Sequence, residues 1–443
     1  MRRSFCLFLF IFLSGQLMAQ QLNKVVTYYD DSTKTMKKEV FFIEGQDTSS
    51  IQGEFTKFYR DGHLLAKGKY VDGKQEGVFK MFYKDGELMR TTEFKNGMRT
   101  GTTIVYDTNG DTLQTAQFEN DTISGKLKLF YDNGLLKSES DFLKGKPDGI
   151  VKEYYPDGVL AQEITYSKGK PNGLTKRYFK GGQIKTEENY KDGLLSGAFK
   201  TYYPNGQIET EFYNSEGKKT GIFKNYSPQG VLLLKGAYKE GKLEGENLSY
   251  FPSGKLKTTR NYKAGMLTGE VLSYDTLGNI IQKEVYSDKQ QEKEVYQYLA
   301  SGQLIATEFY YNKEPKGQWE TYYANGQLKS LTNYSNGFLH GENLTYHKNG
   351  ELASKIYYQM GQKTGVETYY YLDGKVKETQ VYKFGKKQGE FKSFHPNGAV
   401  AITGEYSGNK KVLNWLYYDK TGKLLKTEKY QNNQLVETIM PEN

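Results

Sequence analysis

The sequence predicts an all-β protein, an elongated single antiparallel sheet of about sixteen tandem 24-residue β-hairpin repeats. Three observations carry this. A 24-residue lattice runs without a slip from Gly53 to Asn433; glycine opens fourteen of its sixteen units, with Lys293 and Leu413 the exceptions. Counting that first residue as position 0, position 9 is always glycine, position 5 always Tyr or Phe, position 11 aliphatic in fifteen units and position 17 aromatic in fifteen. Finally, 48 glycines and 39 tyrosines, without Ala-rich or Leu-rich windows, leave little room for helix.

The first element, residues 1–19, reads as a secretory signal: Arg2 and Arg3, an apolar run from Phe5 to Leu13, and Ala19 at a cleavage point. The run is short for a membrane span, and no cysteine follows it to take a lipid anchor. An exported chain is expected, in the periplasm, on the outer cell surface or secreted, with no transmembrane span once mature. Residues 20–52 come next, with Val25 to Tyr29 and Val40 to Ile43 resembling a degenerate hairpin that caps the first edge.

Within each of the sixteen repeats, residues 53–433, positions 1 to 6 form a strand such as Ala198 to Tyr203, followed by Pro204-Asn205-Gly206. Proline at position 7 suits a type I turn, and Asn or Asp followed by glycine closes it with a left-handed residue. That loop pairs position 6 with 10 and sets position 5 opposite 11, as Tyr202 with Ile208 or Tyr322 with Leu328. Period two then places position 17 on the same face, giving a Tyr and Leu ladder, with positions 2, 4, 6 and 12 on a mixed opposite face. A second turn uses glycine at position 20 in eleven units; Asp121, Lys289, Lys313, Asn409 and Asn433 are the exceptions, and an irregularity is expected around Gln290 to Lys316. Residues 434–443 read as a tail. Some thirty-two strands would make a body about 150 Å long and about 20 Å wide, whose tyrosine side must curl, stack on itself or meet another chain.

The only cysteine, Cys6, lies in the signal, so disulfides and thiol chemistry are excluded from the mature chain. The net charge of +9 falls to +7 without Arg2 and Arg3, with Lys and Glu interleaved, which is no nucleic-acid footprint.

In Gly77 to Leu88, Gly197 to Ile208 and Gly317 to Leu328 the repeats follow G-x-[FW]-x-x-Y-[YF]-x-[ND]-G-x-[LI], or close to it. This pattern resembles MORN repeats, in the bacterial variant form often labelled as antitoxin. The resemblance implies a chain of β-hairpins in a twisted sheet, and scaffolding, protein contacts, dimer formation or lipid association as roles. An antitoxin-like or immunity-like role is the further alternative, at odds with an export signal for an intracellular antitoxin.

No catalytic, cofactor or metal site is expected. His347 and His395 share position 6 two repeats apart, roughly 20 Å along the sheet, too far for one metal or one acid–base pair; His63 and His340 stand alone. Asp61, Asp85, Asp157 and Asp373 recur at position 8, where turn chemistry accounts for them. Gly68 to Lys74 and Gly236 to Lys242 mimic a phosphate loop, but Gln75 and Leu243 replace its Ser or Thr. The candidate binding surface is the aromatic row at position 6: Tyr59, Tyr83, Tyr131, Tyr155, Tyr203, Tyr323 and Tyr371. Lysines at positions 3 and 21 (Lys176, Lys200, Lys224; Lys146, Lys170, Lys218) accompany it. The reading is a non-enzymatic exported scaffold with a protein partner or a second copy of itself, and glycan or anionic lipid as the alternative ligand.

Overall fold

A computed structural model describes residues 22–442 apart from 31, 47–49 and 288; the expected signal, residues 1–19, lies outside them. The described residues form 39 strands and no helix. The chain divides into two compact units, Met1–Gly206 and Gln207–Asn443. In each, hairpin follows hairpin in an antiparallel sheet that is not closed into a barrel; among the described residues Leu22–Tyr28 pairs only with Lys37–Glu44, and Gln434–Ile439 only with Leu424–Gln431.

One repeat shows why. In the Gly77 repeat, Lys74–Phe82 runs into a loop at 83–87, returns as Leu88–Lys95, and turns at 96 and 97 into Met98–Tyr106. Its first loop has the expected form. The Tyr83 amide donates to the Glu87 carbonyl and the Gly86 amide to the Tyr83 carbonyl, while Gly86 sits at φ +95°, where a side chain is costly. Asp85 accepts the Glu87 amide at 3.0 Å, the turn role expected of position 8. Position 5 does face position 11, as in Phe82↔Leu88 and Tyr322↔Leu328. The second turn is a two-residue left-handed one, with Asn96 at φ +54° and Gly97 at +82°. Its Gly97 amide donates to the Gln75 carbonyl of the preceding repeat, so successive turns are bonded together.

Two bulges break the simple alternation. Phe82 pairs with Leu88 but Met81 with Arg90, which leaves Met89 at position 12 as an extra residue. Position 17 is thereby carried to the other face. The expected ladder of positions 5, 11 and 17 is corrected: position 17 joins position 2, because one inserted residue reverses the facing of everything beyond it. The second bulge lies at position 0. Glu76 pairs with Lys69 and Lys80 with Lys67, so four steps on one strand match two on its partner, across Gly77 at φ +73°. Where Lys293 replaces that glycine, Gln282 to Tyr286 pair with Lys293 to Gln297 without interruption, so the expected irregularity is a missing bulge.

The core therefore sits where the sequence reading placed a mixed face. Ten of the sixteen position-2 side chains are buried, from Phe79 and Val271 to Phe391 and Trp415, joined by Thr92, Ala116 and Gln380 at position 15. In a flat single sheet half of each would meet water, so each unit wraps its sheet around this row. Aromatic rings at positions 2 and 17 stack along it: Phe55, Tyr70, Phe79 and Phe94 in one unit, Phe391, Tyr406, Trp415 and Tyr430 in the other. Position 15 becomes glycine where these rings need room. A Cβ on Gly68 would lie 2.6 Å from Phe79, and one on Gly404 2.2 Å from Trp415. At the ends, residues 37–44 bury Phe41 and Ile43 against the first repeat, and residues 434–439, read as tail, form a last, exposed strand.

Candidate binding surfaces

The face opposite the core carries positions 1, 3, 5, 14 and 16. Cross-strand geometry sets lysine at position 3 beside glutamate at position 14, and the pairs recur as Lys128–Glu139 (3.8 Å), Lys152–Glu163 (3.5 Å) and Lys176–Glu187 (3.7 Å). Lys224 reaches Glu211 at 3.0 Å, and Lys200 stands opposite Glu187 in register. Position-5 tyrosines join the ladder: Tyr178 donates to Glu163 at 2.9 Å and Tyr226 to Glu211 at 2.9 Å. Burial, and then the Glu163 carboxylate, push the Tyr178 phenol up to about 12. Of the lysines singled out in the sequence, Lys176 and Lys224 at position 3 are thus engaged with carboxylates, whereas Lys146, Lys170 and Lys218 at position 21 are exposed at the turns.

Position 1 on this face is aliphatic in six of the sixteen repeats and charged in seven (Glu54, Lys126, Glu246, Glu270, Glu294, Glu342 and Glu390). Val78, Ile150, Leu174, Ile222 and Val366, all at position 1, are 40% to 54% exposed, and Tyr213 and Tyr357 at position 16 are likewise open to solvent. Isolated exposed aliphatics are common on folded proteins, but Ile150 and Leu174, in consecutive repeats, make a local apolar patch in the first unit.

The position-6 tyrosines have a consistent place. Each is half-buried, and their hydroxyls donate to carbonyls one repeat further on: Tyr59 to Phe82 (2.8 Å), Tyr83 to Tyr106 (2.8 Å), Tyr131 to Tyr154 (2.7 Å), Tyr155 to Tyr178 (2.9 Å), Tyr323 to Tyr346 (2.8 Å) and Tyr371 to Phe394 (2.7 Å). Tyr203 occupies the same lattice position, also half-buried. His347 and His395 take over this tie, Nε2–H donating to Tyr370 (3.2 Å) and Tyr418 (3.0 Å), which fixes their tautomer. His63 instead lies 3.2 Å from Asp61 in an exposed turn. The bulge residue at position 12 adds a cation over the ring, with Lys137, Lys329 and Lys377 at 5.7 to 5.9 Å from Tyr131, Tyr323 and Tyr371. The row ties loops together with its hydroxyls and carries lysine on its rings.

Two features escaped sequence reasoning. The position-12 lysines look like ordinary strand residues until the bulge aims them at the ring. Met360 and Phe384, at position 19, are large apolar residues where other repeats place mostly polar ones, and that mismatch was available as a signal. Among the described residues no group of three or more His, Cys, Asp or Glu side chains is placed to hold a metal, and no helix is long and apolar enough to cross a membrane.

No curated protein matches the sequence. Among solved structures the chain is similar to that of TcdB2-TccC3-Cdc42 (13% identity, 93% of this chain, 31% of the other, TM-score 0.14) and to TcdB2-TccC3 (13%, 94%, 32%, 0.16). It is also similar to the Photorhabdus luminescens Tc holotoxin pore (12%, 92%, 29%, 0.14). The chain spans less than a third of the length of each. The MORN repeat variant pattern matches ten segments, residues 51–72, 75–96, 147–168, 171–192, 195–214, 243–264, 315–336, 339–360, 363–384 and 387–407. Every match opens two residues before a position 0, in phase with the hairpins and bulges described above, and the chain belongs to the MORN repeat variant family.

Proposed function

We propose that this chain is an exported, non-enzymatic repeat scaffold that binds a protein, or a second copy of itself, through the open face of its sheet. The observation that carries the reading is the set of exposed aliphatics at position 1. Ile150 and Leu174 stay in water beside the engaged Lys152–Glu163 and Lys176–Glu187 pairs, and Val78, Ile222 and Val366 are exposed at the same position of other repeats; apolar side chains with polar ones around them are the anatomy of a protein contact. The core face is filled by its own rings, so new contacts fall to this one. Export rests on Arg2, Arg3, the Phe5 to Leu13 run and Ala19.

Sedimentation velocity of residues 20–443 over a wide concentration range, with chemical cross-linking in envelope extract, tests it. Self-association or a defined cross-linked protein, lost when Val78, Ile150, Ile222 and Val366 are changed to Ser, supports the scaffold. A monomer at every concentration that cross-links to nothing, or that binds only anionic vesicles or glycans, contradicts it. Cell fractionation tests the export separately.

A further inference from the structure

The second turns follow one rule, with one small apolar exception, Ala264 at φ +52°, and two large ones. Position 19 is left-handed in nearly every repeat, at φ near +50°, and is filled by residues that tolerate it or stay hydrated: Asp72, Asn96, Asn120, Lys144, Lys168, Asp192, Glu216, Glu240, Asn312, Asn336 and Asn432. In two consecutive repeats it is instead Met360 and Phe384, both at φ +50°, 57% and 72% exposed. A left-handed backbone disfavours such residues, and water disfavours their side chains. Phe338, at position 21 of the repeat before, is 52% exposed and lies over Gly361, where a Cβ would meet its ring at 3.6 Å. Three large apolar side chains thus line up over three successive turns. Between Met360 and Phe384 a shallow cleft of about 280 Å³ opens, lined also by Gln359, Gln362, Lys363 and Thr364.

Charge around the Met360 and Phe384 turns is mostly positive, although Glu314 lies beside Gly337 at the Phe338 end and Glu367 pairs with Lys363. Residues 328–341, 352–366 and 379–389 contain no Asp or Glu. Lys383 and Lys386 face each other directly across the Phe384 turn, a like-charge pair that costs stability, and Lys383 Nζ is 5.9 Å from the Phe384 ring. The other such pair, Lys239 and Lys242, has Glu240 at its tip. A turn that breaks three local rules together, offset among the described residues only by the distant Lys383–Phe384 cation–ring contact, is where an external contact is expected.

We infer that the Phe338–Met360–Phe384 row is the docking site for an acidic protein segment, which seats one apolar side chain between Met360 and Phe384 and sets its carboxylates on Lys383 and Lys386. This deepens the scaffold reading and rests on it. The cleft favours a protein knob over a bilayer: it has the size of one or two side chains, and its rim holds amide and hydroxyl groups from Gln359, Gln362 and Thr364 that a peptide backbone can use.

The test pans a phage-displayed library of random 12-residue peptides on residues 20–443, then measures selected peptides by fluorescence anisotropy. Acidic peptides with one Leu, Met or Phe anchor are expected. Their binding should fall about ten-fold or more with Phe384→Asn or Met360→Asn, weaken with salt, and fall again with Lys383→Ser. Because asparagine already fills this position in other repeats, both Asn variants should melt at the same temperature as the parent or higher. A lower melting temperature would make Phe384 a structural residue and overturn the proposal. So would selected peptides that bind the double Asn variant as well as the parent, or Phe384-dependent binding to phosphatidylglycerol vesicles with no peptide selected. Loss of this site alongside retained self-association through the position-1 aliphatics would leave the scaffold reading standing; loss of both would remove it.

Discussion

On the core face, Val271, Val295 and Trp415 are 5%, 4% and 2% exposed, while one residue earlier along the same strands Glu270, Glu294 and Asn414 lie open or half-open to water. The strands are shared, so the difference arises from which side the sheet wraps. Wrapping gives the position-2 and position-17 rings neighbours in the repeats on either side, and leaves the position-1 aliphatics facing outward without them. Contacts repeated at 24-residue intervals build a core on one face of each unit and leave the other face to solvent, and changes to the two should differ sharply in cost.

The largest effect is expected at Trp415. Trp415→Ala removes a ring stacked on Phe391 and met edge-on by Tyr406 and Tyr430, and should destabilise its unit by about 3–5 kcal/mol in urea unfolding. Ile222→Ser on the open face should stay within about 0.5 kcal/mol; equal losses would break the comparison. Gly404→Ala comes next. It forces a Cβ to 2.2 Å from Trp415 and should cost about 1–3 kcal/mol, although the backbone there suits any residue.

Acid should act on the core face through Glu428. Lys426, then the hydroxyls of Tyr417 and Tyr430, hold its carboxyl down to about 2. A depressed carboxyl stabilises the fold above its unfolded value near 4.5, and that contribution disappears as pH falls toward 2. Glu428→Gln should therefore lower stability at neutral pH and flatten the pH dependence between about 5 and 2; an unchanged acid limb would remove Glu428 from the account. Tyr178 gives the alkaline counterpart on the open face. Its raised phenol stabilises below pH 10 and loses that contribution as pH rises toward 12.

Smaller effects belong to the ties. Tyr131→Phe deletes the hydroxyl that donates to Tyr154 and should cost about 0.5–1.5 kcal/mol, seen in hydrogen exchange at that loop. Lys152→Ala, which breaks a part-exposed pair with Glu163, should change stability by less than about 1 kcal/mol.

What the sequence revealed followed from backbone chemistry. Glycine at position 9, and glycine or asparagine at position 20, mark left-handed turns because few other residues sit there comfortably, and both turns formed as their residues require. The bulge at position 12 has no such mark. Leu65, Met89, Lys137 and Ala161 all fill it, since this bulge asks nothing special of the side chain, and the facing of position 17 was misread for that reason. Glycine at position 0 was visible in fourteen repeats while its purpose, a second bulge, was hidden until Lys293 showed the strand without one. The position-6 tyrosines were recognisable as a row; their acceptors lie one repeat away on the backbone, beyond the reach of a pattern of side chains.

The most direct measurement is thiol reactivity of single cysteines placed in residues 20–443, which contain none. Cysteine at Thr92, Val271 or Val295, on the wrapped face, should react slowly and only as fast as the unit opens, whereas cysteine at Val78, Glu93 or Ile222 should react at nearly the rate of a free thiol. Thr92 labelling as fast as Val78, with Glu93 protected like Val295, would mean that the bulge does not reverse the strand, and the assignment of core and contact faces would fall with it.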